Sequence, residues 1–252
     1  MKPDVVVDVG NSRMKWGLCR EGRVAEFLAL PLNDPQLWAA QFSEWELSAN
    51  SRWVASGVNP RGLERLMQWL EGRTAKVSIL SSCRQVPLTV RIDVPEKVGI
   101  DRLLNAVAAT EQTKSKTSSF IVDAGSAVTV DWVDESGAFR GGAILPGLRL
   151  MAKALRDYTA LLPVIDVSRL SNPPMPGTST KGAIEAGIFW TTAAGVKELL
   201  RQLTAHAPAH SQSKVYLTGG DAHLLEPVLE GGFNAWPEMT LEGIRLSAEK
   251  LP

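Results

Sequence analysis

The sequence predicts an α/β protein built from two similar halves, and three observations carry that reading. A short phrase occurs twice: Val5-Val6-Val7-Asp8-Val9-Gly10-Asn11-Ser12 near the start, and Phe120-Ile121-Val122-Asp123-Ala124-Gly125-Ser126-Ala127 near the middle. Each is an apolar run, an aspartate, a small or apolar residue, a glycine and a hydrogen-bonding side chain, followed by a second apolar run. Around both copies, short Val- and Ile-rich runs of strand type give way to longer stretches with apolar residues three and four apart, the helical period. The 252 residues, 44% hydrophobic and 21% charged, have an ordinary globular composition and suffice for one large domain or two modest ones. The repeat decides for two.

Residues 4 to 9 and about 13 to 20 form a first hairpin around Asp8 to Ser12, and Val24 to Leu30 adds a third strand after the Glu21-Gly22 turn. Pro35 to Trp45 reads as a helix and Arg52 to Ser56 as a short strand ending at Gly57. Leu63, Leu66, Met67 and Leu70 give a helix one apolar face, and Val77 to Leu80 is another short strand. The polar segment Glu111 to Ser119 carries the boundary, which defines lobes of residues 1–115 and 116–252. The second half opens in the same way, with strands over 120–123 and 127–133, the Asp134 to Gly137 turn, and a run at Gly141 to Leu145. Leu148 to Leu162 and Thr180 to Ala205 are helical in pattern. Lys214 to Leu217 is a buried strand that leads into Thr218-Gly219-Gly220-Asp221, and Ala222 to Leu229 follows as a helix. Both halves share an approximate plan of three strands, helix, strand and helix.

Composition excludes several classes of function. Lys plus Arg equals Asp plus Glu, 27 of each, so no global field draws the chain to nucleic acid or to an anionic membrane. Cys19 and Cys83 lie far apart without a CxxC neighbour, which argues against a disulfide framework or a structural zinc site. No run of eighteen apolar residues exists, and Lys2-Pro3-Asp4 leads straight into a strand, so a cytoplasmic protein is expected. The eight tryptophans, spread over helices and strands, read as packing residues.

The common nucleotide and catalytic motifs fail in turn. Gly177 to Gly182 has the spacing of a Walker loop, but Ala183 follows where Lys is needed, and no buried strand leads in. No GxGxxG sits at a strand-to-helix junction, and no GxSxG elbow occurs. His206, His210 and His223 come late, two of them in an Ala/Pro/Ser-rich linker without a partner acid. What remains is a hairpin-type anion cradle in duplicate, in which main-chain N–H groups of a tight turn converge on a phosphate and the aspartate holds a hydrated cation. The two copies imply halves that face one nucleotide. Thr218-Gly219-Gly220 is a third glycine turn, where a missing side chain lets a base or ribose lie against the backbone. Between the halves, Gly99-Ile100-Asp101-Arg102 opens a helical run from Leu103 to Ala109. Asp101 there is either a helix cap or a base for an attacking hydroxyl, and Arg102 either a solvated partner or the clamp on a substrate carboxylate.

Taken together, Asp8-Val9-Gly10-Asn11-Ser12, Gly99-Ile100-Asp101-Arg102, Asp123-Ala124-Gly125-Ser126, Gly142 to Gly147 and Thr218-Gly219-Gly220 resemble type III pantothenate kinase. This family, also known under the name Bvg accessory factor, belongs to the acetate and sugar kinase, Hsp70 and actin superfamily. The resemblance runs in order from residue 5 to about residue 225. It implies a two-lobed actin-like ATPase fold, related to ribonuclease H, with a nucleotide cleft between duplicated domains. It also implies transfer of the ATP γ-phosphoryl to pantothenate, giving 4′-phosphopantothenate at the start of coenzyme A synthesis.

Residue by residue, the resemblance implies an ATP phosphate loop at Asp8, Val9, Gly10, Asn11, Ser12, Arg13, Met14 and Lys15, with Asp8 near Mg²⁺. Ser126, Gly219 and Gly220 are implied as further ATP contacts, with Ser126 in place of a nucleotide-binding threonine. Asp101 matches the general base, and Gly99, Ile100, Asp101 and Arg102 the pantothenate loop. Asp123 matches the ligand of a monovalent cation, K⁺ or NH₄⁺. Thr180 matches a threonine that reaches pantothenate across a homodimer interface. One position departs from the pattern: Ile92 stands where relatives usually carry a tyrosine, removing a hydroxyl and an aromatic face from the substrate pocket. Two rival classes share the fold. Sugar or acetate kinases would need the Asp8 and Asp123 loops without Gly99 to Arg102, and a non-catalytic regulatory accessory protein would have lost these acids.

Overall fold

The repeated phrase becomes a repeated sheet. In a computed structural model that describes residues 2–74, 76–113, 117–207, 213–229 and 232–250, the chain divides into two units, 1–112 with 238–252, and 113–237. His210 and the expected boundary at Ser115 and Lys116 lie outside the described residues.

The first unit contains β1 (Val5–Val9), β2 (Met14–Arg20), β3 (Arg23–Leu30), α1 (Pro35–Glu44), β4 (Arg52–Gly57), α2 (Pro60–Leu70), β5 (Lys76–Leu80), the two-residue β6 (Thr89–Val90) and α3 (Ile100–Thr113). Its sheet runs β3-β2-β1-β4-β5, with β1 antiparallel to β2 and parallel to β4. Both crossover helices start where the sequence dictates. The Asp34 carboxylate accepts from Leu37 N and the Asn59 side chain from Gly62 N, each just ahead of a proline whose missing N–H is not needed there.

The alternation of β1 sends Val5, Val7 and Val9 to one face, where they meet Met14, Trp16 and Leu18 of β2 and Trp53 of β4 beneath α1 and α2. Trp38, Trp45, Trp69 and Phe42 complete an aromatic core in which Trp16 meets Trp53 edge-on at 5.0 Å and Phe42 stacks on Trp53 at 6.1 Å. Five of the eight tryptophans are therefore core residues of this unit, as the composition suggested.

The other face is covered by α7 (Met239–Lys250), an element the sequence reading did not anticipate. A Cβ on Gly17 would fall 3.2 Å from Leu241, and one on Gly243 only 2.0 Å from the Leu104 carbonyl oxygen, so glycine lets α7 approach β2 and α3 closely. Polar ties hold it. Glu242 accepts from Val24 N at 2.6 Å and from Arg245 at 2.6 Å, Arg245 also reaches Glu249 at 3.0 Å, and Thr240 donates to Asn105 at 2.8 Å.

The second unit contains β7 (Ser118–Ala124), β8 (Ala127–Val133), β9 (Ala138–Pro146), α4 (Leu148–Asp157), α5 (Thr180–Thr204), β10 (Ser213–Thr218), the short α6 (Ala222–Leu225) and β11 (Asn234–Ala235). Its strands run β11-β10-β7-β8-β9, with β7 antiparallel to β8 and parallel to β10. Strand for strand this is the first sheet again. Val122, Ala124, Val128, Val130 and Leu217 form the core face with α4 and α5.

Two helices are shorter than the sequence pattern suggests. Expected to continue to Leu162, α4 ends at Asp157, and Tyr158 and Leu161 are 89% and 92% exposed, so those last apolar residues have no core to enter. The helix expected over Ala222 to Leu229 gives way after Leu225 to a 3₁₀ turn at Glu226–Val228, where Pro227 has no N–H to continue the α pattern.

Candidate active site

In the first unit, the turn between β1 and β2 is closed by Gly10 N donating to Arg13 O at 3.0 Å. Asn59 ties it to α2: its Nδ2 donates to Gly10 O at 3.3 Å while its Oδ1 caps the helix. Asn11, Ser12 and Arg13 are exposed at the tip, whereas the Val9 and Met14 side chains are buried in the aromatic core, which leaves their main chain alone to face a ligand. Asp8 and Lys15 are direct cross-strand partners and share the face opposite that core. Ladder partners lie close enough for opposite charges to interact. On its other side Asp8 pairs with Ser56, whose hydroxyl donates to Leu80 O at 2.7 Å.

Neither Gly10 nor Gly125 has a positive φ, so left-handed backbone is not what these turns require. The demand for glycine falls on the strands that follow. Gly57, ending β4, has φ +154°, and a Cβ there would lie 2.3 Å from Val9 O; Gly219, just past β10, has φ +100°, and its Cβ would lie 2.4 Å from Ala124 O. These are equivalent positions of the duplicated sheets. Only Gly219 was singled out from sequence, yet Ser56-Gly57 and Thr218-Gly219 carry the same signal, a hydroxyl and a glycine at the end of a buried strand.

Three glycine turns converge in the second unit. Gly125 N donates to Ala127 O at 3.0 Å, Gly147 N to Ser126 O at 3.2 Å, and Asp221 N to Ala124 O at 2.8 Å. Gly147 presses so closely that a Cβ would sit 2.3 Å from Gly125 O. The Asp123 turn, the Pro146-Gly147 start of α4 and the Thr218 to Asp221 turn thus form one patch, with Ser126 and Gly220 exposed on it and Arg149 4.0 Å from Asp221. Asp123 is flanked on its own face by Thr129 of β8 and Thr218 of β10. The hydroxyls of both threonines are buried and have no hydrogen-bond partner among the described residues. A carboxylate between two such oxygens fits a cation with oxygen ligands. Among the described residues, no group of three or more His, Cys, Asp and Glu side chains is placed to hold a metal.

The Gly99 to Arg102 segment turns into α3. Ile100 is buried as its anchor, and Arg102 N donates to Gly99 O at 3.2 Å and to the Asp101 carboxylate at 2.9 Å. The carboxylate folds back over Gly99, where a Cβ would lie 2.6 Å from Asp101 Oδ1, beside Val58. Burial pushes the Asp101 carboxyl above the usual range, and the Arg102 N–H and charge only partly offset it. Asp101 therefore lies inside the first helical turn as a partly desolvated acid, poised nearer to neutral pH than an exposed aspartate.

Thr180 is exposed at the first position of α5, after Ser179, whose hydroxyl accepts from Gly182 N at 3.0 Å. It borders an apolar groove of about 690 Å³ between α4 and α5, with Met151, Leu155, Ile184 and Ile188 in its walls. Both described histidines are exposed, and His206 stacks against Trp132 at 6.4 Å. Cys19 and Cys83 are free thiols. No helix among the described residues is long and apolar enough to cross a membrane.

Known proteins share both sequence and fold with this chain. The sequence model of the type III pantothenate kinase family matches residues 5–202. A type III pantothenate kinase of Gloeobacter violaceus is 32% identical over 245 residues, covering 97% of each chain, and one of Nitrosococcus oceani is 29% identical over 247 residues, covering 95% of this chain and 91% of its own. Among solved structures, a conserved putative Baf family transcriptional activator from Campylobacter jejuni matches at a TM-score of 0.61 and 20% identity over 98% of both chains. A putative 2-dehydro-3-deoxygalactonokinase from Sinorhizobium meliloti matches at 0.58 and 14% identity, covering 97% of this chain and 98% of its own. MreB5 of Spiroplasma citri bound to ADP matches at 0.52 and 10% identity over 99% of both. These structural likenesses are of fold: the two five-strand motifs have the α/β architecture of the actin-like ATPases.

Proposed function

We propose, from the premise that the chain belongs to the type III pantothenate kinase family, that it phosphorylates pantothenate with ATP and that Asp101 takes the proton of the attacking alcohol. The observation that carries the assignment of the base is the half-buried Asp101 carboxylate, held by Arg102 N at 2.9 Å at the start of α3 with its pKa raised by desolvation. A carboxylate tuned towards the working pH is a better proton acceptor than an exposed one.

In this reading the hydroxyl oxygen of pantothenate forms a bond to the γ-phosphorus as the bond from that phosphorus to the β–γ bridging oxygen breaks. ADP leaves, and the alcohol proton passes to Asp101. Arg102, one residue on, supplies a guanidinium fork for the pantothenate carboxylate. Such a transfer needs mainly positioning and charge neutralisation. The Gly10 to Arg13 turn offers main-chain N–H groups and Lys15 an ammonium for the phosphates. The Gly219-Gly220 turn offers bare backbone against adenosine, and the exposed Ser126 hydroxyl a further contact. Asp8 is the residue suited to hold hydrated Mg²⁺, and Asp123 with its flanking threonines to hold K⁺ or NH₄⁺. When bound, these cations would offset the negative charge of the phosphates.

The same reading takes the chain as a homodimer in which Thr180 serves the partner's substrate site. The exposed apolar groove between α4 and α5, with Thr180 on its border, supports that placement. The test is ADP release coupled to a spectroscopic readout, with pantothenate set against a panel of sugars and acetate, with and without K⁺. Turnover with pantothenate alone is expected. Turnover with a sugar or acetate in its place, or pantothenate binding without ADP release, would overturn the proposal.

A further inference from the structure

Trp236 stands apart from the five tryptophans packed in the first unit's core. It follows the two-residue β11, which Asn234 Nδ2, donating to Val215 O at 3.1 Å, ties to β10. Ala235 pairs with Leu217, and Trp236 N donates to Leu217 O at 2.9 Å, so Trp236 continues the strand alongside Thr218. Pro237 favours that extended backbone in the residue before it. The indole meets the Tyr216 ring at 5.7 Å and 52°, which puts it on the face of the sheet that Tyr216, Thr218 and Asp123 share. Val122, Ala124 and Leu217 form the core on the opposite face.

Because β10 runs parallel to both β7 and β11, Asp123, Thr218 and Trp236 mark the carboxyl ends of neighbouring strands. Ligands of open α/β sheets gather at that end. One residue beyond Thr218 the chain is bare: Gly219 turns at φ +100° against Ala124, and Gly220 is exposed. Trp236 itself is only half-buried. Tyr216, two residues deeper in β10, is 3% exposed, and its hydroxyl has no hydrogen-bond partner among the described residues, so it contributes a ring that braces the indole and no polar tie. A flat, partly open indole held beside backbone without side chains makes a slot for a planar ring, and every nucleobase has a π-face to offer it.

We propose that Trp236 is the stacking wall for the nucleobase of the bound triphosphate. The inference rests on the reading of the Gly219-Gly220 turn as the adenosine contact, and it names the side chain that meets the base and the basis of its selectivity. Stacking reads ring area and not hydrogen-bonding edges, so this wall favours purines over pyrimidines and discriminates weakly between adenine and guanine.

The test is calorimetric titration of the full-length protein with ATP, GTP, CTP and inorganic triphosphate, each as its Mg²⁺ complex. In the wild type, ATP and GTP are expected to bind more tightly than CTP, and inorganic triphosphate, which has no base, most weakly. Trp236→Leu keeps apolar bulk beside Tyr216 but removes the wide aromatic face. It should weaken ATP and GTP by about fivefold to 100-fold and leave inorganic triphosphate within about twofold, and Trp236→Phe should recover most of the loss. ATP should also quench wild-type tryptophan emission, and in Trp236→Phe that quench should vanish although ATP still binds. Should Trp236→Leu fail to fold, the emission arm decides alone. A tryptophan that only packs against Tyr216 would leave the quench in place and, on conversion to leucine, weaken every ligand alike or none; either result overturns the proposal. If the wild type prefers ATP to inorganic triphosphate and Trp236→Leu keeps that preference, the wall is wrong and the reading of the Gly219-Gly220 turn stands. A wild type that binds ATP no more tightly than inorganic triphosphate removes both.

Discussion

Asp101 combines two demands that pull against each other. As the proposed base its carboxylate must ionise to accept a proton, yet burial penalises that ionisation, so its pKa is raised in the folded protein. Between the ordinary carboxylate value and the raised one, the folded state keeps a proton that the unfolded chain has released, and stability falls as pH rises through that interval. Asp101→Asn escapes this loss. It should lower kcat by roughly 10² to 10⁴ with ATP affinity intact, and in chemical denaturation it should be the more stable protein at pH 7. That advantage should close as pH falls below the ordinary carboxylate range. A variant that keeps wild-type kcat would remove Asp101 from the mechanism. The glycines divide in the same way. Gly219→Ala forces a Cβ against Ala124 O at a φ of +100° and should cost about 1–3 kcal/mol of stability in urea titrations. Gly125→Ala meets Ala127 O at 3.5 Å and Asp123 Oδ1 at 3.6 Å, ordinary contact distances, and should fold as wild type, so a loss of ATP affinity in calorimetry would report the methyl's intrusion at the turn and not a loss of fold.

Among the elements, the strands were the most legible. β8 matches its expected bounds of 127–133, and β1 to β5 fall within a residue or so of theirs, because Val, Ile and Trp alternation together with Gly and Asp punctuation is a local signal. α7 was missed for the opposite reason. Residues 239–250 include Thr240, Glu242, Arg245 and Ser247, all buried, so the usual contrast of polar and apolar faces is blurred by a polar network that only the tertiary structure satisfies. The overlong α4 shows the converse: Leu161, 92% exposed, extends an apolar period beyond the core, whereas Leu162 packs against that core from outside the helix. Within the candidate site, the Asp8, Asp123 and Gly219 turns could be read as motifs. The pairing of Asp123 with Thr129 and Thr218 could not, because strand register is a long-range fact. The α4–α5 groove carries its own prediction. On the proposed dimer, Leu155→Glu or Ile184→Glu on its walls should convert dimer to monomer in light scattering and lower pantothenate turnover, since Thr180 would no longer reach the other subunit's site.

At the scale of the whole molecule, the first unit is assembled from both ends of the chain. Met239, Leu241 and Ile244 are fully buried, and at about 1.5–3 kcal/mol per buried side chain their removal forfeits on the order of 5–9 kcal/mol. That is comparable with the entire stability of a typical domain, about 5–15 kcal/mol. Deletion of residues 238–252 should therefore unfold the first unit. Because five of the eight tryptophans lie in its core, the loss should appear as a red shift and broadening of tryptophan emission. Glu242→Gln, which keeps the shape and weakens the charge pairing with Arg245, should lower the thermal midpoint by a few degrees without changing the emission maximum. The same return of α7 bears on how the protein is made. On the ribosome, residues 1–112 emerge first but lack their covering layer until residues 238–250 are translated, whereas residues 113–237 emerge as one contiguous stretch. The newborn chain must hold its earliest strands half-clothed while the later ones settle, which makes nascent residues 1–112 the stretch on which chaperones are expected to act.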